Sequence, residues 1–346
     1  MNHTIFIIGT RPEITKIAPI ANNLNSKILF TGQHFSKNMS NGFFDLIKNR
    51  EIINLNLKRF KNFDNNIRFI ANQLEIKLKK LNANKIIVQG DTNTTLVGAI
   101  ATKTLNKKLY FIESGMRSFD ISQIEEYNRL ITSHLADINF CNHITNKENL
   151  LNEGVSKSKI LVTGSTVYSA VNLVDSSIES IGEKKYILLT LHRPENVDKK
   201  EKLLNLLKTI NKLNYRVIFP VHPRTKANLD KYDIQKLENI KFLKPKNYKD
   251  FIELIKYSKF IISDSGGVQE EAAIYRKPLL IPRQYTERPE MLNKFNILVK
   301  NNKELLMQSK NILNGNSSLE KPLLVTPLLY GKMKPIENII NGINNK

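Results

Sequence analysis

Short apolar runs that end in polar, glycine-bearing turns recur along this chain. Each is followed by a stretch whose apolar positions fall at helical spacing. Residues 4–8 read as a buried strand running into Gly9-Thr10-Arg11-Pro12-Glu13, with a helix predicted over 14–24. The rhythm repeats at 28–30 before Thr31-Gly32-Gln33-His34, at 85–88 before Gln89-Gly90-Asp91, and at 109–112 before Glu113-Ser114-Gly115. Helices are predicted over 60–81 and 96–105, and further strands at 138–140 and 160–162. A second series opens at 186–191, which leads into His192-Arg193-Pro194, and continues at 216–219 before Val221-His222-Pro223. The run 260–263 then breaks at Asp264-Ser265-Gly266-Gly267 and is followed by a helix over 268–275 and a strand at 279–281.

Strands that alternate with helices predict parallel sheets covered on both faces. At 346 residues the chain has length for two such domains. The change falls near the polar stretch 174–185, giving an N-terminal Rossmann-like domain over 1–166 and a C-terminal one over 167–331. A final helix within 332–346 is expected to pack back on the first domain.

Composition narrows the function. The 41% hydrophobic content suits a folded soluble protein, and no apolar run reaches the roughly 20 residues that span a bilayer. The first run is broken by Arg11, so no signal peptide is visible, and a single cysteine, Cys141, suits a reducing cytoplasm. The six histidines form no H-x-H or HExxH pair, so no metal site is expected. The net charge of +21 invites a nucleic-acid reading, but the lysines are scattered among Asn and Ile and form no aromatic-interleaved stripe. Neither a nucleic acid nor a membrane is expected as partner; an anionic small molecule is.

The turns carry the candidate chemistry, because open α/β sheets bind ligands at the carboxyl ends of their strands. Two glycines at a helix start let a phosphate approach free N–H groups, so Ser265-Gly266-Gly267 suits a diphosphate. Glu270 and Glu271 follow, placed by the sequence in the first helical turn, one of them available to ribose hydroxyls. Arg11 and Lys16 stand near a helix start after the first strand. Asp91 and Glu113 end successive strands, although Asp91 also suits a helix cap. Glu125 and Arg129 share a helix face. His192 and His222, each beside an arginine, line a strand end in the second half.

These motifs resemble the non-hydrolysing UDP-N-acetylglucosamine 2-epimerases. The matching pieces are GTRPEITKIAP (9–19), QGDTNTT (89–95), ESGMRS (113–118), EEYNR (125–129), TGSTV (163–167), LTLHRPEN (189–196), VHPRT (221–225), SDSGGVQEE (263–271) and TERPE (286–290). The resemblance implies two doubly wound Rossmann-like domains of the GT-B type with the active site in the cleft between them. It also implies a homodimer, no cofactor or metal, and conversion of UDP-N-acetylglucosamine to UDP-N-acetylmannosamine. Arg11, His222, Ser265, Gly266, Gly267 and Glu271 are implied to hold UDP, with Glu271 on the ribose. Lys16, Asp91, Glu113, Glu125, Arg129 and His192 are implied to surround the sugar and the breaking bond, and Arg117 and Arg288 to join the substrate contacts. The implied catalytic set is Asp91, Glu113, Glu125 and His192.

The family commonly reads EAGLR where this chain has Glu113-Ser114-Gly115-Met116-Arg117, and Ile124 stands where a proline usually precedes the paired acids. Bacterial relatives carry a second, activating substrate site, of which Gln33-His34 matches a part. Two enzyme alternatives stay open. An epimerase of UDP-2,3-diacetamido-glucuronic acid tends to read GARPQ and TEWVE, unlike the GTRPE and TERPE here, and a GT-B glycosyltransferase has no use for the acid series.

Overall fold

The computed structural model describes residues 4–33, 43–48, 50–55, 57, 67–175, 186–232, 237–325 and 333–345. It divides into two compact units, Met1–Leu173 with Leu329–Lys346, and Val174–Leu328.

The first unit is built on a parallel sheet of seven strands: β1 Thr4–Ile8, β2 Ser26–Phe30, β3 Glu51–Asn54, β4 Lys85–Gln89, β5 Lys108–Ile112, β6 Ile138–Cys141 and β7 Ile160–Val162. Their order is β3-β2-β1-β4-β5-β6-β7. β1 is buried throughout, as a strand covered on both faces must be. Alternation sends Ile5 and Ile7 to one face, against Ile70, Leu74 and Leu78 of helix Ile67–Leu81 and Val97 of helix Asn93–Thr104. Phe6 and Ile8 go to the other, against Ile14 and Ile17 of helix Arg11–Ala21 and Ile339 and Ile343 of the last helix, Pro335–Asn344. The C-terminal turn of that last helix is tied down by Tyr110, whose hydroxyl donates to the Ile343 carbonyl at 3.3 Å.

The second unit carries β8 Tyr186–Thr190, β9 Val217–Pro220, β10 Ile240–Leu243, β11 Ser258–Ser263, β12 Leu279–Ile281 and β13 Asn296–Leu298, all parallel in the order β10-β9-β8-β11-β12-β13. Both sheets are doubly wound. Each reverses its winding once, between β1 and β4 in the first unit and between β8 and β11 in the second. Those two reversals are where ligands bind in this class of sheet.

Three strands escape the sequence reading: β3, β10 and β13. β3 and β10 are short edge strands with half their residues exposed, and β13 is three residues long, so none has the apolar run of an inner strand. Helix starts also move. The first helix begins at Arg11, because the Thr10–Glu13 capping box closes its end, and the helix after β4 begins at Asn93 on a Thr92 cap. Of the helix predicted over 60–81, the part before Ile67 lies outside the described residues. Among the described residues no helix is long and apolar enough to cross a membrane.

Candidate functional site

At the first reversal, the turns after β1, β4 and β5 are knitted together by side chains. Glu13 is 2% exposed. Its Oε2 accepts from the Gly9 and Thr10 amides, at 3.0 and 2.6 Å, and from the Thr10 hydroxyl at 2.7 Å. Its Oε1 accepts from the Thr92 hydroxyl at 3.0 Å, so one carboxylate joins the turn carrying Arg11 to the turn carrying Asp91. Burial nevertheless pushes the Glu13 carboxyl up to about 7. Sequence reading passed over Glu13 as part of a motif; the signal available was its place at the third position of a capping box.

Lys16 and Glu113 meet here at 2.6 Å, both largely buried. The Gln89 side-chain amide also donates to Glu113. Glu113 sits at φ +63°, in the left-handed region that a residue with a Cβ rarely adopts. Asp91 does not cap the following helix, since Thr92 does, with its side chain accepting from the Thr95 amide. Asp91 instead accepts from Arg129 Nη1 at 2.5 Å. Arg129 is buried and also donates through Nε to Glu126 at 2.9 Å. Glu126 in turn accepts from the Ser118 and Phe119 amides, at 3.1 and 3.0 Å. The arginine is therefore a strut that holds Asp91, with its donors directed at two acids. Glu125, half-buried, stands in the first turn of helix Ile124–Leu135, where the helix dipole favours a carboxylate.

Two expected residues stand elsewhere. Arg117 is 2% exposed and makes a bidentate pair with Glu153, at 2.8 and 2.7 Å, while also donating to the Met116 carbonyl and the Ser133 hydroxyl. Those bonds use its guanidinium fork, so Arg117 braces the first unit. Gln33 accepts from the Thr94 amide and hydroxyl, at 3.0 and 2.9 Å, which makes it a brace between the turn after β2 and helix Asn93–Thr104. Its neighbour His34 lies outside the described residues. Arg11, at the first helical position, has its guanidinium 5.5 Å from the Phe43 ring, and burial lowers its pKa.

At the second reversal the materials differ. β11 is followed by Asp264, fully buried, whose carboxylate accepts from the His192 and Arg193 amides, from Asn196 Nδ2 and from His192 Nδ1 at 3.0 Å. Those donors, with the charge of the nearby imidazole, bring the Asp264 carboxyl down to about 2 against the opposing effect of burial. Asp264 thus ties the turn after β8 to the turn after β11 and fixes the His192 ring, which lies 5.2 Å from the His222 ring. Sequence reading missed Asp264 because an acid beside a glycine turn resembles any other turn residue. His222 caps helix Pro223–Leu229 through Nδ1, accepting from the Arg224 amide at 3.2 Å. The adjoining arginines serve carboxylates, Arg193 pairing with Glu287 and Arg224 with Asp198.

Ser265, Gly266 and Gly267 open helix Gly266–Ile274 and are partly exposed. A Cβ on Gly267 would meet open space, whereas one on Gly266 would lie 2.9 Å from Arg288 Nη1. Arg288 is therefore held against the helix start, its Nε donating to Glu270 at 2.8 Å. The helix begins at Gly266, so Glu270 and Glu271 fall in its second turn and not in the first.

The family model described as UDP-N-acetylglucosamine 2-epimerase matches residues 19–344. The UDP-N-acetylglucosamine 2-epimerase of Methanococcus maripaludis is 37% identical, over 95% of this chain and 98% of its own. A crystal structure of the Methanocaldococcus jannaschii UDP-GlcNAc 2-epimerase, in complex with UDP-GlcNAc and UDP, is 34% identical and superposes with a TM-score of 0.87 over the whole of both chains. A lipopolysaccharide outer core galactosyltransferase, WaaB, shares only the fold, with a TM-score of 0.56 at 14% identity over 99% of each chain. Two doubly wound sheets of this GT-B type, with the acids of the first reversal and the glycine turn of the second, fit what those comparisons find: this chain belongs to the UDP-N-acetylglucosamine 2-epimerase family.

Proposed function

We propose that this chain interconverts UDP-N-acetylglucosamine and UDP-N-acetylmannosamine, with the second unit holding the nucleotide and the first handling the sugar. The observation that carries the reading is the first-reversal cluster, in which Asp91 and Glu113, ending neighbouring strands, are each fixed by a cation. A C2 proton beside an acetamido group is too weakly acidic for direct removal. The C1–O bond to UDP therefore breaks, the departing oxygen keeps the electron pair, and a carboxylate takes the C2 proton, leaving 2-acetamidoglucal. UDP then re-adds at C1 while a second acid protonates the opposite face of C2. Two faces call for two acid/base groups, drawn from Asp91, Glu113 and Glu125. The diphosphate that leaves is received by the amides of the Ser265–Gly267 turn and by His192.

The test is incubation with UDP-N-acetylglucosamine in deuterated water. The expected product is UDP-N-acetylmannosamine carrying deuterium at C2. Asp91→Asn and Glu113→Gln should each lower turnover by about 10²-fold or more. An inverted product that keeps protium at C2 would rule out the glucal route, and C2 left untouched would favour a transferase. The chain is further proposed to act in the cytoplasm as a homodimer. An exposed stripe on helix Ile124–Leu135, formed by Ile124, Tyr127 and Ile131, supports the pairing. Ile131→Asp should then shift the sedimentation of the chain from dimer to monomer.

A further inference from the structure

Gln89, the last residue of β4, is 1% exposed. Its backbone is firmly placed. It stands opposite Ile112 of β5, and its carbonyl accepts from the Thr95 hydroxyl at 2.7 Å. The next amide along, that of Gly90, donates to the Ile112 carbonyl at 3.2 Å. From this anchorage the side chain reaches Glu113, the residue after β5. Nε2 donates to Glu113 Oε2, the same oxygen that Lys16 holds at 2.6 Å. The other end of the amide, Oε1, is buried and has no hydrogen-bond partner among the described residues. Buried polar atoms are nearly always paired, and one that is not lowers stability. An amide kept at a cost in stability points to a use of its own.

We propose that Gln89 is a positioning residue for Glu113, holding its carboxyl group in one place both when it is ionised and when it carries a proton. The assignment rests on the epimerase reading above and deepens it. An acid/base group changes protonation in every turnover, so its partners must serve two states. Lys16 has donors only, which suit the carboxylate but leave a carboxyl hydroxyl without an acceptor. Gln89 has both. A half-turn about its last side-chain bond exchanges Nε2 and Oε1 and puts an acceptor where the donor stood. The turn gives up no hydrogen bond at the far end, because Oε1 has none there. Asn142 also carries an amide, but it reaches the other oxygen of Glu113 only at 3.4 Å.

The experiment measures turnover of UDP-N-acetylglucosamine, UDP affinity by calorimetry and thermal unfolding. It compares the wild type, Gln89→Met, Glu113→Gln and the double variant. Methionine is unbranched like glutamine and removes both the donor and the acceptor. Gln89→Met should melt no lower than the wild type, since an unpartnered carbonyl leaves the interior and Lys16 keeps its hold on Glu113. Its kcat should nevertheless fall about tenfold or more, the scale of a misplaced reacting group, with KM and UDP affinity within about twofold of wild type. In the Glu113→Gln background the same change should cost less than about twofold, since the two residues act through one contact. Turnover that stays within about twofold of wild type in Gln89→Met, or losses that multiply in the double variant, would overturn the assignment. So would a melting temperature that falls together with kcat, which would make the role structural. Wild-type protein that binds UDP but does not turn over UDP-N-acetylglucosamine would bring down the epimerase reading, and this assignment with it. An active wild type matched by Gln89→Met would remove Gln89 alone.

Discussion

The two reversals of winding are built from opposite materials. In the first unit the strand-end turns are joined through ion pairs, Lys16 with Glu113 and Arg129 with Asp91 and Glu126. In the second, a glycine turn presents backbone amides, and one buried carboxylate, Asp264, ties it to the turn after β8. The difference follows from the tasks proposed for each. Groups that exchange protons must be titratable side chains, and side chains hold position only when partnered. A diphosphate needs donors that keep their protons at any pH, and peptide N–H groups supply them.

That contrast predicts the greatest sensitivity in the first unit. Arg129→Met should lower turnover by at least about 10²-fold and destabilise the fold by roughly 3–5 kcal/mol, because it strands Glu126 as a buried, unpaired charge. Chemical denaturation and single-turnover rates read the two effects separately. Arg117→Met sharpens the comparison from within the same unit. It should cost roughly 3 kcal/mol of stability through loss of the Glu153 pair, while turnover per folded molecule stays within about twofold of wild type. A loss of turnover like that of Arg129→Met would return Arg117 to the substrate.

In the second unit a methyl group is the appropriate probe. Gly267→Ala meets no atom of the protein and improves helix propensity by about 0.8 kcal/mol, so the fold should be slightly more stable. The methyl would stand where the diphosphate is proposed to lie, and UDP should bind about tenfold more weakly. Undiminished binding would move the diphosphate away from this turn.

The effects of pH carry opposite signs in the two units. Asp264 is brought down to about 2, so its contribution, about 2 kcal/mol, is present above the unfolded carboxyl's ordinary value and is lost as pH falls towards 2. Glu13 is raised to about 7, so the folded chain holds that proton more tightly than the unfolded one. Its contribution is full below the ordinary value of 4.5 and is lost as pH rises through about 7. Glu13→Gln should flatten the stability profile between about pH 4.5 and 7, and Asp264→Asn should flatten its acid limb. Both are measurable by thermal unfolding across pH.

The sequence made the inner strands legible because each is an unbroken apolar run, and the ends of those runs located the acids, the histidines and the glycine turn. Pairing was not legible. Arg117 and Arg129 are both arginines beside an acidic helix, and nothing in their spacing tells that one closes on Glu153 and the other on Asp91. Glu13 and Asp264, which hold the strand-end turns together, pass in a sequence for ordinary members of a capping motif and a turn. Their importance comes from donors that lie far away along the chain, Thr92 for Glu13 and His192 for Asp264.

The left-handed backbone of Glu113 has a consequence for the engineering of this chain. A glycine there would adopt the same conformation without strain, a relief on the order of 1 kcal/mol, but it would leave the largely buried Lys16 ammonium without its carboxylate, at a cost of roughly 3–5 kcal/mol. Selection for thermal tolerance alone should therefore keep this side chain. A library sorted for heat resistance would collect glycine at 113 only where position 16 had lost its charge as well. Positions 113 and 16 are thus a pair that engineering must change together or leave alone.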